Sequence, residues 1–154
     1  MSEVIFQDLF SLERIKLDIK KGTKDNVLKH LVSFFDINQE DKELLFDDIL
    51  KREQDVSTGI GCGVAIPHGR LNNCKYPQIV FARLIEPISY SSIDGSMVSI
   101  IFMIMSQKGN PNSHLMILAG LAKILQNDAV VFVLKNSNNK KKIHEILSTV
   151  YEPN

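Results

Sequence analysis

Polar and apolar residues alternate from Arg14 through Ile19, with Ile15, Leu17 and Ile19 set against Arg14, Lys16 and Asp18, which is the period of a half-buried strand. After Gly22 and Thr23 the period lengthens. Val27, Leu28, Leu31, Val32 and Phe35 recur at helical spacing and predict a helix over 24–35. A second helix follows Asn38, with Leu44, Leu45, Ile49 and Leu50 as its apolar face and Arg52 near its end. The short apolar run Val64-Ala65-Ile66 fits a buried strand that ends at His68. Strands are also predicted over 78–85 and 97–106, the second apolar without interruption and therefore buried on both faces. Glu86-Pro87 and Asp94-Gly95 supply turn chemistry between those two strands.

The carboxy-terminal third reads as helical. Asn110-Pro111 opens a helix, with a capping side chain followed by a proline that has no N–H to leave unpaired. Leu115, Leu118, Leu121, Ala122 and Leu125 carry that helix to about Gln126, and His114 falls in its first turn. A helix over 129–135 and a last one over 140–150 complete the chain, although Val130 to Val133 fits a strand equally well. Strands interspersed with helices predict an α/β fold, a single mixed β-sheet sandwiched between helices on both faces.

Composition bounds what such a fold is for. The 154 residues are 44% hydrophobic, and with no repeat or Pro/Gly/Ser linker the expectation is one domain over 1–154. Lys plus Arg and Asp plus Glu are 18 each, so no global field favours nucleic acid or an anionic membrane, and any bound anion must be held locally. The first ten residues, MSEVIFQDLF, have no basic n-region, and the longest apolar stretch, Met97 to Met105, is too short to span a membrane. The chain is therefore expected to be cytoplasmic, with no direct membrane insertion. Cys62 and Cys74 lack Cys-x-x-Cys spacing and read as inert thiols.

His68 is the candidate for chemistry. Pro67 before it and Gly63 and Gly69 around it restrict the backbone and leave room for a second molecule to approach. An imidazole is neutral often enough near physiological pH to act as a nucleophile towards phosphorus or as a base. On spacing alone, His114 shares a helical face with Leu118, Leu121 and Leu125 and fits a core-edge histidine, while Arg52 opposes a helix dipole. Ser57 and Thr58 read as turn residues, and His30 and His144 as structural or solvated.

Residues 53–69, EQDVSTGIGCGVAIPHG, change the weight of those readings. This segment resembles the phosphohistidine motif of enzyme IIA domains of the fructose, mannitol and nitrogen-regulatory class of the phosphoenolpyruvate-dependent phosphotransferase system. The resemblance runs from about Leu9 to Val150 and includes the Arg52-Glu53 pair and the His-Leu-x-x-Leu-x-x-Leu-Ala pattern from His114. It implies the enzyme IIA mannitol/fructose-type fold, with His68 accepting a phosphoryl group from the carrier protein HPr and Arg52 and His114 assisting. Such transfer needs positioning and charge stabilisation more than covalent chemistry. A guanidinium offers paired charge-assisted bonds, and a helix N-terminal turn favours an anion. Ser57, Thr58 and the amides around Gly59 and Gly61 are expected to add donors.

Competing motifs are poorer matches. Gly59-x-Gly61-x-Gly63 is neither a dinucleotide fingerprint nor a P-loop, and there is no Gly-x-Ser-x-Gly elbow. Cys62, His68 and Cys74 fit no common zinc spacing, and Lys140 to Lys142 reads as a solvated helix start, so no metal, cofactor or nucleic acid is expected. Within the resembling class two roles are open. One is a regulatory switch of the nitrogen type acting on a target protein, which the opening LFSLERIKLD resembles; the other is a sugar-transport component passing the phosphoryl group to a IIB cysteine. Many nitrogen-branch relatives carry a second histidine where this chain has Met116.

Overall fold

The computed structural model describes residues 9–150. Residues 1–8 and 151–154, on which the amino-terminal reading and part of the single-domain expectation fall, lie outside the described residues. In chain order the elements are β1 (Phe10–Ile19), α1 (Lys24–Val32), α2 (Gln39–Asp55), β2 (Gly59–Gly61), β3 (Val64–Ala65), β4 (His68–Leu71), β5 (Gln78–Ile88), β6 (Val98–Gln107), α3 (Pro111–Leu125), α4 (Asp128–Asn136) and α5 (Lys140–Val150). The sheet runs β1-β5-β6-β3-β2, and β4 pairs with β6 alongside β3. Pairing is mixed, with β1–β5, β6–β3 and β6–β4 parallel and β5–β6 and β2–β3 antiparallel.

The central strand β6 is buried from Ile100 to Ser106, as its unbroken apolar run dictates. Its side chains alternate between two cores. Ile101, Met103 and Met105 face Val27, Leu28 and Leu31 of α1 and Leu45 and Ile49 of α2. Ile100, Phe102 and Ile104 face Ile117, Leu121 and Ile124 of α3, with Leu134 of α4 and Ile143 and Leu147 of α5 behind them. Helices thus cover both faces. Each fully buried aliphatic or aromatic side chain contributes about 1.5–3 kcal/mol, so the two layers are what hold the sheet.

Helix starts follow the local chemistry. Thr23, Asn38, Asn110 and Asn127 each accept a hydrogen bond from an amide of the first turn, of Asn26, Asp41, Ser113 and Val130 respectively. Residues 128–136 are helical, which resolves the open reading of Val130 to Val133. Elsewhere the structure departs from expectation. Helix α1 stops at Val32, where the Ser33 hydroxyl and amide turn back to the His30 carbonyl, leaving Phe35 in the following turn. Strand β5 runs through Glu86-Pro87 to Ile88 instead of turning there. Strand β1 pairs only as far as Leu84, so Pro87 lies past that pairing and beside a register shift against β6, where its missing N–H costs nothing. In α3 the buried face is His114, Ile117, Leu121 and Ile124, whereas two residues of the expected apolar set, Leu115 and Ala122, are exposed.

Candidate functional site

The segment expected to be one strand ending at His68 is two short strands. Strand β3 ends at Ala65, and after Ile66-Pro67 the chain returns to β6 as β4, so that His68 opens a strand instead of closing one. The Pro67 carbonyl accepts the Ile104 amide, which keeps the interruption registered on β6. His68 pairs with Ile104 and Arg70 with Ser106. Laterally paired residues of parallel strands point to one side, so these four share the face on which Ile104 meets α3.

His68 is half-buried, and its Nδ1 lies 3.0 Å from the Ile66 carbonyl. A carbonyl can only accept, so Nδ1 carries the proton and donates, which leaves the lone pair on Nε2. The His114 ring, brought up by the first turn of α3, is centred 5.1 Å from that of His68. Burial, and then the charges of His68, Arg70 and Arg52, pull the His114 imidazole down to about 4. His114 is therefore neutral at pH 7 and acts as a hydrogen-bonding group, not a fixed cation.

Helix α2 brings Arg52 to the same place. Gly69 makes this possible, because a Cβ there would come within 2.8 Å of Leu45 Cδ1 and 2.9 Å of Ile49 Cγ1. Without a side chain, β4 lies directly against α2. Asp48, one turn before Arg52, then accepts from Arg52 Nε at 3.2 Å and from the Arg70 amide at 2.8 Å on one oxygen, Oδ2. One carboxylate so ties the end of α2, with its guanidinium, to the edge strand that carries His68.

The residue after Arg52 anchors the approach to the site. Glu53 is 8% exposed and accepts from the Thr58 amide at 3.1 Å, the Thr58 hydroxyl and the Tyr90 hydroxyl at 3.0 Å, with Lys24 Nζ at 2.9 Å. Burial, followed by the neighbouring Glu53 charge, pushes the Tyr90 phenol far up, so it stays a donor.

The expected extra donors go elsewhere. The Ser57 hydroxyl donates to the Tyr90 carbonyl at 2.9 Å and accepts the Gly59 amide at 3.2 Å. Both donors of Thr58 are held by Glu53. Gly61, Cys62 and Gly63 all have positive φ, and the Cys62 and Gly63 amides bond to Asp94 Oδ2 and Ser96 Oγ. The Cys62 and Gly63 amides are thus paired within the loop, by a carboxylate and a hydroxyl, instead of facing an anion. Asp94 consequently sits at about 2, lowered by its bonds to Ser96 and Cys62. The structure thus brings Arg52, His68 and His114 together and places Ser57, Thr58, Gly59 and Gly61 in the scaffold before them.

Asp48, Tyr90, Lys24 and Arg70 were not singled out by the sequence. Only Asp48 leaves a signal there, at i,i+4 from Arg52; Arg70 lies two positions after His68 on a strand that the sequence does not reveal. His30 stacks edge-on against Phe34 at 4.9 Å, and His144 Nε2 donates to the Phe10 carbonyl at 3.1 Å. Cys62 is exposed, whereas Cys74 is buried and its thiol pushed up to about 11 by burial. Among the described residues no single helix is long and apolar enough to cross a membrane.

Residues 8–150 match the family model described as phosphoenolpyruvate-dependent sugar phosphotransferase system, EIIA 2. A nitrogen regulatory protein of Bradyrhizobium diazoefficiens is 31% identical over 142 residues, covering 92% of this chain and 93% of that protein. The fructose-specific EIIABC component of Bacillus subtilis is 32% identical over 143 residues; the match covers 92% of this chain and 22% of that longer protein. The crystal structure of nitrogen regulatory protein IIA-Ntr from Neisseria meningitidis superposes with a TM-score of 0.84 at 28% identity, covering 93% of this chain and 99% of that one.

Proposed function

The chain belongs to the EIIA 2 family of the phosphoenolpyruvate-dependent sugar phosphotransferase system, and from that premise we propose that His68 is a phosphoryl acceptor whose Nε2 takes the group from the phosphohistidine of an HPr-type carrier. The observation that carries this reading is the Nδ1–H to Ile66 carbonyl bond, which fixes the tautomer and leaves the nucleophilic lone pair on Nε2. As the donor's P–N bond breaks, the Nε2 lone pair forms the new one. The donor ring leaves neutral and the His68 ring becomes cationic, its remaining N–H still held by the Ile66 carbonyl. Arg52 stabilises the charge on the equatorial oxygens of the loose transition state, and His114 donates to them from the first turn of α3.

We assign the regulatory, nitrogen-type role to this carrier, with the cytoplasm as its compartment. Leu115 and Met116 are 62% and 45% exposed next to His114, so the phosphoryl group adds about −1.5 to −2 charges at the edge of an apolar surface. Such a change alters which target proteins dock without any movement of the backbone. The sugar-transport role, with transfer onward to a IIB cysteine, is the second reading and is favoured by the fructose-specific relative, 32% identical against 31% for the nitrogen regulatory protein.

Incubation with phosphoenolpyruvate, enzyme I and HPr, followed by intact mass measurement, tests the shared first step. One acid-labile phosphoryl group on the wild type and none on His68→Ala is the expected result; an equally labelled His68→Ala removes His68 from the role. Transfer of that group to a IIB cysteine would favour transport, and phosphorylation-dependent capture of a purified kinase or channel would favour regulation.

A further inference from the structure

Four buried side-chain polar atoms among the described residues lack a hydrogen-bond partner: Arg70 Nε, Ser92 Oγ, Ser106 Oγ and His114 Nδ1. Buried donors and acceptors are nearly always paired, because leaving one unmade forfeits its hydration. Three of the four belong to one place. Arg70 and Ser106 are register partners on β4 and β6, on the face that His68 shares, and the His114 ring is packed against that of His68. Ser106 is 1% exposed and His114 7%. No ion pair involves the Arg70 side chain among the described residues: it lies on the α3 face, whereas Asp48, which accepts from the Arg70 main chain, belongs to α2 on the opposite, Gly69 face. The Nε of a guanidinium, a hydroxyl and an imidazole nitrogen, all buried and unpaired on or against the face that carries His68, are hydrogen-bonding groups suited to an anion.

Resting on the reading of His68 as phosphoryl acceptor, we infer that Arg70 and Ser106 are phosphoryl-binding residues, Arg70 contributing a second guanidinium and Ser106 a hydroxyl donor from the β4–β6 side while Arg52 reaches the group from α2. The arrangement suits a group bearing three equatorial oxygens, since cations on two sides of it leave the in-line path to Nε2 open. Arginine fits this position better than lysine, because the guanidinium presents several donors in a fixed plane. The strand geometry also explains why the pair can be held ready. Position i+2 on β4 and its partner on β6 are fixed by the ladder, so neither side chain has to be recruited from solvent.

Single-turnover transfer from saturating phosphorylated HPr, followed by quenching and intact mass measurement, tests this on the full chain with wild type, Arg70→Ala, Arg70→Lys and Ser106→Ala. Arg70→Ala should transfer roughly ten- to hundredfold more slowly at saturation, the size expected for a lost charged hydrogen bond. Arg70→Lys should recover part of the rate. Ser106→Ala should be at least as resistant to heat as the wild type, since it deletes an unpaired buried hydroxyl, and yet be slower in transfer. That combination is one a purely structural role does not produce. A wild-type saturating rate in Arg70→Ala, or a defect confined to the half-saturating HPr concentration, overturns the inference while leaving His68 in place; a wild type that accepts no phosphoryl group overturns the reading beneath it as well.

Discussion

His114 should make the fold lose stability in acid over a window set by its own ring. Burial, followed by the charges of His68, Arg70 and Arg52, holds that imidazole at about 4, against about 6.5 for a histidine in an unfolded chain. Between those values the unfolded chain binds a proton that the folded chain refuses. Stability therefore rises with pH through the window, is fully present above it and is lost as the pH falls. Integrated across the window, the loss is roughly 3 kcal/mol, accumulating at up to about 1.4 kcal/mol per pH unit. Replacing His114 by Gln removes the titrating group, and whatever it does to stability at neutral pH, it must flatten the dependence. The assay is chemical denaturation at closely spaced pH values between about 7.5 and 4.5, comparing wild type and His114→Gln. His114→Gln should fall by about 2–3 kcal/mol less than the wild type. Superimposable slopes for wild type and His114→Gln would refute the assignment of His114 as a buried neutral imidazole.

Three further outcomes follow from the contacts around the site. Glu53→Ala should lower the unfolding free energy by roughly 3 kcal/mol, measured by denaturant titration, because it leaves Lys24 and the buried Tyr90 hydroxyl without their common partner. Gly69→Ala should destabilise by about 1–3 kcal/mol through overpacking, and it should slow phosphoryl transfer too, since the added carbon pushes Leu45 and Ile49 and with them the helix that carries Arg52. Arg52→Ala should slow labelling by roughly ten- to hundredfold. The same variant should change stability by no more than about 0.5 kcal/mol, because the ion pair to Asp48 that it removes is partly exposed.

Where a residue pattern was long enough to average, the sequence foretold the structure. Helices α1, α2 and α3 and the buried strand β6 are set by many apolar positions at one period, and their caps are local chemistry. Strands β2 and β4 were not legible, because three or four residues rich in glycine carry no period, and their existence depends on β3 and β6 offering a ladder to join. Pro87 misled for a related reason. It reads as a turn until the end of the β1 pairing shows that its missing N–H has no neighbour to serve. At the proposed site, motif and resemblance single out His68, Arg52 and His114, which periodicity does not; on spacing alone His114 is a core-edge residue, and it lies on the buried face of α3. The hydrogen-bond partners of Ser57 and Thr58, Tyr90 and Glu53, are not legible in the sequence because they are chosen by the fold and not by the neighbouring residues.

The whole account turns on which ring nitrogen of His68 is free to react. Nitrogen–phosphorus correlation by NMR on histidine-labelled protein, phosphorylated through enzyme I and HPr, reads this directly. The phosphorus should couple to Nε2 of His68, with the Nδ1 proton still protected by the Ile66 carbonyl. Phosphorus on Nδ1, or on a different histidine, would contradict the mechanism built here.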